Sequence, residues 1–236
     1  MTEADWLSCT DPARMVGFVG DKVSSRKLRL FACACCRRIW DLLADPRSRK
    51  AVETAERFAD GLATLRQLRA AKAAAGSASL EAHDAYWDDA TDEGWKKWTA
   101  AAAAAWVAED EEGTGCISWN VYFETAEASA DARGGERRPA RVKKVEKKAQ
   151  CALLRDIAGN PFRPVDTNPA WLCHAGPAVL PLAQAIYEEG RFTDLPVLGD
   201  ALEEAGCDDQ VWLDHCREQT DHVPGCWLVD ALLGKG

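Results

Sequence analysis

Residues 24–76 read SSRKLRLFACACCRRIWDLLADPRSRKAVETAERFADGLATLRQLRAAKAAAG, and this stretch decides the fold. The apolar residues of its first part recur every three or four positions, as on one face of a helix: Leu28, Phe31, Cys35, Ile39 and Leu42. Ser24 or Ser25 can cap this helix, which we expect to run to about Ala44. Asp45 and Pro46 then predict the cap and the first residue of a second helix that runs to Ala75. The pattern therefore predicts a helical hairpin with a tight connection.

The rest of the chain also favours helices. Residues 77–108 are rich in alanine and tryptophan, and Ser79 and Thr91 are plausible caps. Residues 116–130 mix strand and helix formers, and we favour helix. A helix is predicted from Pro139 to Ile157, with Gly159 as its terminating glycine. Four short helices are predicted at about residues 177–189, 195–205, 208–216 and 224–233, three of them followed by Gly190, Gly206 and Gly234.

The expected fold class is all-α, an irregular multi-helix bundle with an N-terminal helical hairpin and a C-terminal string of short helices. Residues 160–164, NPFRP, form a connector that cannot be helical. We place a division there, between an N-terminal region (1–159) with a variable Ala/Trp-rich middle (about 70–148) and a C-terminal region (160–236). Both regions are expected to pack as one compact unit.

The bulk composition excludes several classes of protein. The chain has 236 residues, with 47% hydrophobic and 28% charged residues, which is typical of a globular protein. A formal net charge of −9 disfavours general attraction to nucleic acid. The polar N-terminus lacks a signal-peptide pattern, and no apolar stretch approaches the roughly 20 residues of a membrane span. We therefore expect a soluble, cytoplasmic protein with no membrane partner.

The ten cysteines are expected to be reduced thiols, most of them buried as small hydrophobic residues. Cys33 and Cys36 share a helix face but lie in mid-helix within an apolar stripe, which favours packing over redox or metal chemistry.

A C-terminal group offers soft ligands for zinc, which takes about four nitrogen or sulfur ligands. Cys216-x5-His222-x3-Cys226 supplies three of them, and Cys207 (or Cys173 with His174) can supply the fourth. The paired C-x2-C half-site of common zinc modules is missing, and the neighbours His215 and Cys216 point in different directions on a helix. The alternative is that Cys216 and Cys226 pack in the core while His222 lines a turn.

A basic run interrupts this acidic chain. The positive residues between 133 and 148 are Arg133, Arg137, Arg138, Arg141, Lys143, Lys144, Lys147 and Lys148. Such a stripe can bind phosphates or an acidic partner. No aromatic residue lies within it, so the sequence does not support stacking of nucleic-acid bases on this segment. A solvated helix face is the simpler interpretation, and nucleic acid is not an expected partner.

Motifs of catalysis are missing from the sequence. It holds no phosphate-binding glycine loop, no G-x-S-x-G and no H-E-x-x-H, and its four histidines stand in no recognised catalytic context. We therefore expect a non-enzymatic helical interaction or scaffold module with a protein partner, because exposed tryptophans anchor interfaces and the chain has ten. The alternatives are a small zinc- or thiol-dependent protein that uses the C-terminal Cys/His group, and a regulatory module that docks nucleic acid or an acidic partner through the basic run.

Several stretches together resemble a paralogous family, without an assigned activity, that is abundant in planctomycete bacteria. They are residues 1–7 (MTEADWL), 26–33 (RKLRLFAC), 38–40 (RIW), 154–157 (LRDI), 159–164 (GNPFRP), 182–187 (LAQAIY), 195–198 (LPVL), 205–207 (AGC) and 222–227 (HVPGCW). The resemblance covers both ends of the chain and implies a bacterial cytoplasmic origin and a shared fold, with no catalytic residue. Pro224 stands where the family's final motif leads us to expect arginine, which weakens any role for a positive charge there.

Overall fold

The structure of the chain is a computed structural model that describes residues 1–110, 119–134, 140–163, 167, 171, 178–218 and 221–235, without the side chains of residues 119–124, 134 and 140. Within these ranges all regular secondary structure is helical and no strand occurs, which confirms the all-α prediction. No helix in the described part of the chain is long and apolar enough to cross a membrane.

The first four helices each begin at a side-chain cap. They are α1 (Glu3–Ser8), α2 (Pro12–Val19), α3 (Ser25–Arg38) and α4 (Pro46–Ala59). Ser24 accepts a hydrogen bond from the amide of Lys27 at the start of α3, and Asp45 accepts one from Arg47 before Pro46 begins α4. Helices α3 and α4 pack against each other, so the predicted hairpin is confirmed. Helix α3 ends at Arg38, earlier than the predicted Ala44, and Arg49 donates hydrogen bonds to carbonyls of the following turn.

The predicted second helix, from Pro46 to Ala75, is wrong because it is two helices. Helix α4 ends at Ala59, and Gly61 follows with a φ of 71°, a left-handed conformation that ends a helix and favours glycine. Thr64 and Gln67 then form a capping box that starts α5 (Leu65–Asp89). The predicted cap at Ser79 is also wrong, because it lies inside α5.

The described residues in the middle of the chain are mostly helical, as predicted. Thr91 caps α6 (Asp92–Val107), and α7 (Trp119–Gly134) and α8 (Ala140–Ala158) follow. Residues 116–118 of the ambiguous segment lie outside the described residues. Gly159 ends α8 with a φ of 67°, as its position in the sequence predicts.

The chain forms two units, Met1–Leu154 and Arg155–Gly236, which we call the N-terminal and C-terminal units. The sequence-based boundary at residue 160 and the packing of both regions into one compact unit stay predictions. The core of the N-terminal unit is built around α3, which packs against α4, α6 and α7. Cys33, Cys35 and Cys36 are buried free thiols in this core, which confirms their interpretation as packing residues.

The C-terminal unit is a string of short helices, as predicted. After the last turn of α8 it contains α9 (Val179–Glu189), a 3₁₀ turn (Phe192–Asp194), α10 (Leu195–Glu204), α11 (Gln210–Arg217) and α12 (Trp227–Leu233). Gly190, Gly206 and Gly234 have left-handed backbone conformations just after helices. Trp212 belongs to the core of this unit, and its ring centroid lies 5.2 Å from that of Trp171 and 5.3 Å from that of Trp227.

Candidate metal centre

Four side chains that can ligate a metal converge inside the C-terminal unit. Asp156 comes from the last turn of α8, His215 from α11, and His222 and Cys226 from the segment that leads into α12. One donor atom from each side chain lies within 4.8 Å of every other. We call these four residues the Asp156 cluster.

The end of α8 is shaped to bring Asp156 to this point. A side chain at Gly159 would meet Trp227, because an added Cβ there would lie 3.2 Å from the indole ring. Because residue 159 is glycine, the end of α8 can pack directly against Trp227. The indole ring of Trp227 also contacts His215, with the ring centroids 4.8 Å apart. The amide of Val223 donates to Oδ2 of Asp156 at 3.1 Å, which holds the His222 segment against α8.

The donor atoms converge on a common centre and do not form a linear series of hydrogen bonds. Nε2 of His215 lies 3.2 Å from the Cys226 Sγ and 3.3 Å from Oδ1 of Asp156. Nδ1 of His222 lies 2.6 Å from the same Oδ1.

This arrangement differs from a cysteine–histidine–aspartate triad. In a triad the thiol and the carboxylate contact opposite nitrogens of the imidazole, so that the ring can pass a proton between them. In the Asp156 cluster both groups contact the same nitrogen of His215. Cys226 is also fully buried, which denies a substrate access to the sulfur. The geometry therefore favours coordination over nucleophilic catalysis.

Two of the donor–donor distances are close to those expected around a small tetrahedral ion. With zinc bonds of about 2.0–2.3 Å, neighbouring donors of a tetrahedron lie about 3.3–3.7 Å apart. The two contacts of His215 Nε2, at 3.2 and 3.3 Å, are close to that spacing. The contact between His222 and Asp156, at 2.6 Å, is a hydrogen bond that an ion would open by about 0.7 Å. The other ring nitrogen of His222, Nε2, is buried without a hydrogen-bond partner among the described residues.

Burial and charge pull the proton affinities of the cluster in opposite directions. Burial raises the pKa of Asp156, but the hydrogen bonds from His215 and His222 outweigh it and hold that pKa below its ordinary value. Burial lowers the pKa of His222, but the hydrogen bond and charge of Asp156 outweigh it, so that pKa is raised. Burial, with the nearby charge of Asp156, raises the pKa of Cys226 well above its ordinary value. Without a metal the cluster therefore holds an ionised Asp156 and a neutral Cys226 thiol.

The charge of the cluster matches a divalent ion. An ionised Asp156 and a Cys226 thiolate contribute two negative charges, and two neutral imidazoles contribute none, so a bound divalent cation makes this buried site neutral. One sulfur, two nitrogens and one oxygen suit zinc, whereas calcium and magnesium prefer oxygen ligands alone. With all four residues as ligands, a bound ion would be coordinated by protein alone, as in structural zinc sites.

The structure separates the four residues that the sequence predicts as zinc ligands. His222 and Cys226 belong to the Asp156 cluster, whereas Cys207 and Cys216 are buried outside it. Cys216 packs on α10, because a Cβ added to Gly199 would lie only 2.8 Å from the Cys216 Cβ. Since neighbouring residues of a helix point in different directions, the contact of Cys216 with α10 leaves His215 to face the cluster. Burial raises the pKa of the Cys216 thiol to about 12, as expected of a core thiol.

Asp156 is the ligand that sequence reasoning missed. Its position carries a local signal, because it lies in an otherwise buried stretch of α8 with Leu153, Leu154 and Ile157. A carboxylate on the buried face of a helix needs a partner, and that requirement could have been paired with the C-terminal histidines.

Three of the six described residues of the basic run pair with acidic neighbours. Lys143 pairs with Asp131 and Glu127, Lys147 with Glu127, and Arg133 with Asp41. Arg141, Lys144 and Lys148 are exposed on α8, and Arg137 and Arg138 lie outside the described residues.

Comparisons with family models, with curated proteins and with solved structures found no match to this chain.

Proposed function

We propose that the chain binds one zinc ion through Asp156, His215, His222 and Cys226, and that the ion is a structural element of the C-terminal unit. The observation that carries this proposal is the convergence of four different donor atoms within 4.8 Å in a buried site. Its ligands come from segments separated in sequence, the end of α8 and the region from α11 to α12. An ion held between them would stabilise the folded unit against unfolding, because the unfolded chain does not hold the ligands together.

A structural role is favoured over a catalytic one. A catalytic zinc keeps a position open for water or substrate, whereas four protein donors close the coordination sphere. Among the described residues the ligand side chains are largely buried, with His222 and Asp156 each 4% exposed and His215 11% exposed, which limits the access of a substrate to the ion. The structure thus supports a zinc-dependent protein more strongly than the sequence does. Asp156 and His215 take the places of Cys207 and Cys216 among the proposed ligands.

Cobalt(II) substitution tests the ligand set directly. We expect the protein to bind one cobalt per chain with the intense visible absorption of a tetrahedral ion and a thiolate-to-cobalt charge-transfer band near the ultraviolet. The Cys226→Ser variant should lose the charge-transfer band, because serine offers no sulfur donor.

Cys216→Ser is the matched control, because Cys216 is a buried thiol on α11 that lies outside the cluster. It should keep the full spectrum if the protein remains folded by circular dichroism. Loss of the charge-transfer band in Cys216→Ser but not in Cys226→Ser would refute the proposed ligands.

Zinc binding is also expected to release protons in a pH-dependent number. Zinc needs the Cys226 thiolate and a neutral His222, whereas Asp156 is already ionised because its pKa is lowered. Zinc should displace the proton of Cys226, and below the raised pKa of His222 it should displace an additional proton from that imidazole. Calorimetric titrations in buffers of different protonation enthalpy measure this number. A count of zero at every pH would contradict binding through Cys226.

Protein interaction, the function favoured by the sequence, is a second proposal. Among the described tryptophan side chains of the N-terminal unit, Trp87 is 66% exposed and Trp106 is 37% exposed. Trp106 also lines a groove of about 510 Å³ together with Trp95 and Trp98. Nucleic-acid docking has less support, because three lysine and arginine side chains of the basic run already pair with carboxylates. A bacterial cytoplasmic setting is proposed from the family resemblance alone.

A further inference from the structure

One exposed indole of the N-terminal unit is held in a fixed orientation. Nε1 of Trp87 donates a hydrogen bond to Nε2 of His83 at 2.8 Å, although 66% of Trp87 is exposed. Because Nε2 accepts, the proton of the imidazole is on Nδ1, which faces Oδ1 of Asp84 at 3.3 Å. Asp84, His83 and Trp87 thus form a chain of contacts along one side of α5.

The indole is also supported from beneath by other aromatic rings. His83 meets Trp98 edge-on at a centroid distance of 4.8 Å, and Trp98 stacks on the buried Tyr86 at 5.7 Å. Trp87 itself contacts Tyr86 at 5.6 Å. A side chain fixed in this way loses little conformational entropy when a partner covers it, which is a property of interface anchors.

The surface around Trp87 combines apolar and acidic groups. Leu80, Asp84, Trp87 and Asp88 recur at helical spacing and share the solvent-facing side of α5. Leu80 is 67% exposed, and the side chain of Asp84 is 82% exposed. Within the described residues, no lysine or arginine forms an ion pair with Asp84, Asp88 or Asp89. We call Leu80, Asp84, Trp87 and Asp88 the Trp87 surface.

We propose that the Trp87 surface docks a basic segment of a partner protein, in which arginine or lysine accompanies apolar side chains. The carboxylates of Asp84 and Asp88 complement its positive charges, and the indole face offers a cation–π contact. Leu80 and Trp87 lie seven residues apart, about 10 Å along the helix, which gives two apolar contacts about two turns apart. The same carboxylates repel phosphate, so the surface does not suit nucleic acid. The inference is independent of the zinc site, whose ligands all belong to the C-terminal unit.

Selection from a random library of displayed 12-residue peptides tests the proposal and does not require the natural partner to be identified first. The full-length protein is the bait, and the Trp87→Ala, Asp84→Asn, Asp88→Asn triple variant is used for counter-selection. We expect the enriched peptides to carry net positive charge with at least one large apolar residue. Labelled copies of the best peptides should bind about tenfold more weakly to the Trp87→Ala variant, and about tenfold more weakly to the double variant Asp84→Asn, Asp88→Asn, than to the wild-type protein. High salt should also weaken their binding to the wild-type protein.

Two controls separate this surface from general charge and general hydrophobicity. The double variant Glu204→Gln, Asp208→Asn removes two negative charges, as Asp84→Asn, Asp88→Asn does, but from exposed residues of the C-terminal unit. The Leu62→Ala variant removes a different exposed apolar side chain, since Leu62 is 66% exposed. Neither should weaken binding, and all variants should keep the wild-type circular dichroism and melting temperature. Enrichment of no peptide, of acidic peptides, or of peptides that bind all variants equally would overturn the proposal. Concentration-dependent self-association abolished by Trp87→Ala would overturn it too, since the occupant would then be a second copy of this chain.

Discussion

Replacing His222 by alanine is expected to raise amide hydrogen exchange in the C-terminal unit about a thousandfold. The variant removes one ligand of the proposed zinc and leaves the buried Asp156 without its shortest partner, at 2.6 Å. A zinc ion present at about 1,000 times its dissociation constant contributes about 4 kcal/mol of stability, which equals about three decades of exchange. Removal of zinc from the wild-type protein by a chelator should produce a similar change.

Hydrogen-exchange mass spectrometry locates the effect as well as measuring it. Peptides from α10, α11 and α12 should lose protection, whereas peptides from α3 and α4 in the N-terminal unit should keep theirs. His83→Ala is the matched control, because His83 lies in the N-terminal unit and outside the cluster. Equal exchange in the C-terminal unit of wild-type and His222→Ala proteins, with chelator and without, would show that no ion stabilises this unit.

Replacing Arg29 by methionine is expected to destabilise the N-terminal unit by about 3–5 kcal/mol, because one buried and one partly buried carbonyl lose a charged donor. Arg29 is 1% exposed, and its Nη1 donates to the carbonyls of Val107 at 3.0 Å and Glu109 at 2.8 Å. Val107 is the last residue of α6 and Glu109 lies two residues beyond it, at a helix end that leaves its last acceptors unpaired and favours positive charge. Methionine keeps the length of the side chain but removes both the charge and the donors.

Thermal unfolding measures this second effect. A loss of this size should lower the melting temperature by roughly 10 °C for a unit of about 150 residues. Arg66→Met is the matched control, because Arg66 is an exposed arginine of α5 and its loss should change stability by less than about 0.5 kcal/mol. A melting temperature for Arg29→Met equal to that of Arg66→Met would contradict the helix-capping role of Arg29.

The helical architecture was predictable where a local signal was strong. Ser24 and Asp45 with Pro46 mark the starts of α3 and α4, and Gly190, Gly206 and Gly234 mark helix ends by their conformation. The break at Gly61 was missed because apolar spacing continues across it, so the periodicity outweighed an Asp-Gly turn followed by a capping box.

The candidate metal centre was predictable only in part, for two physical reasons. His222 and Cys226 lie close together in sequence, so their spacing indicated a pair of ligands. The choice between His215 and Cys216 depends on which face of α11 meets α10, and the packing of Cys216 on Gly199 decides it. Asp156 enters from α8, and no local spacing connects it to the histidines.

Elemental analysis of the full-length protein, purified without an affinity metal column, tests the central claim most directly. We predict about one zinc per chain in the wild-type protein, retained in Cys207→Ser and Cys216→Ser and lost in His222→Ala and Cys226→Ser. No zinc in the wild-type protein, even after incubation with excess zinc and removal of the unbound ion, would contradict it. So would zinc that all four variants retain equally.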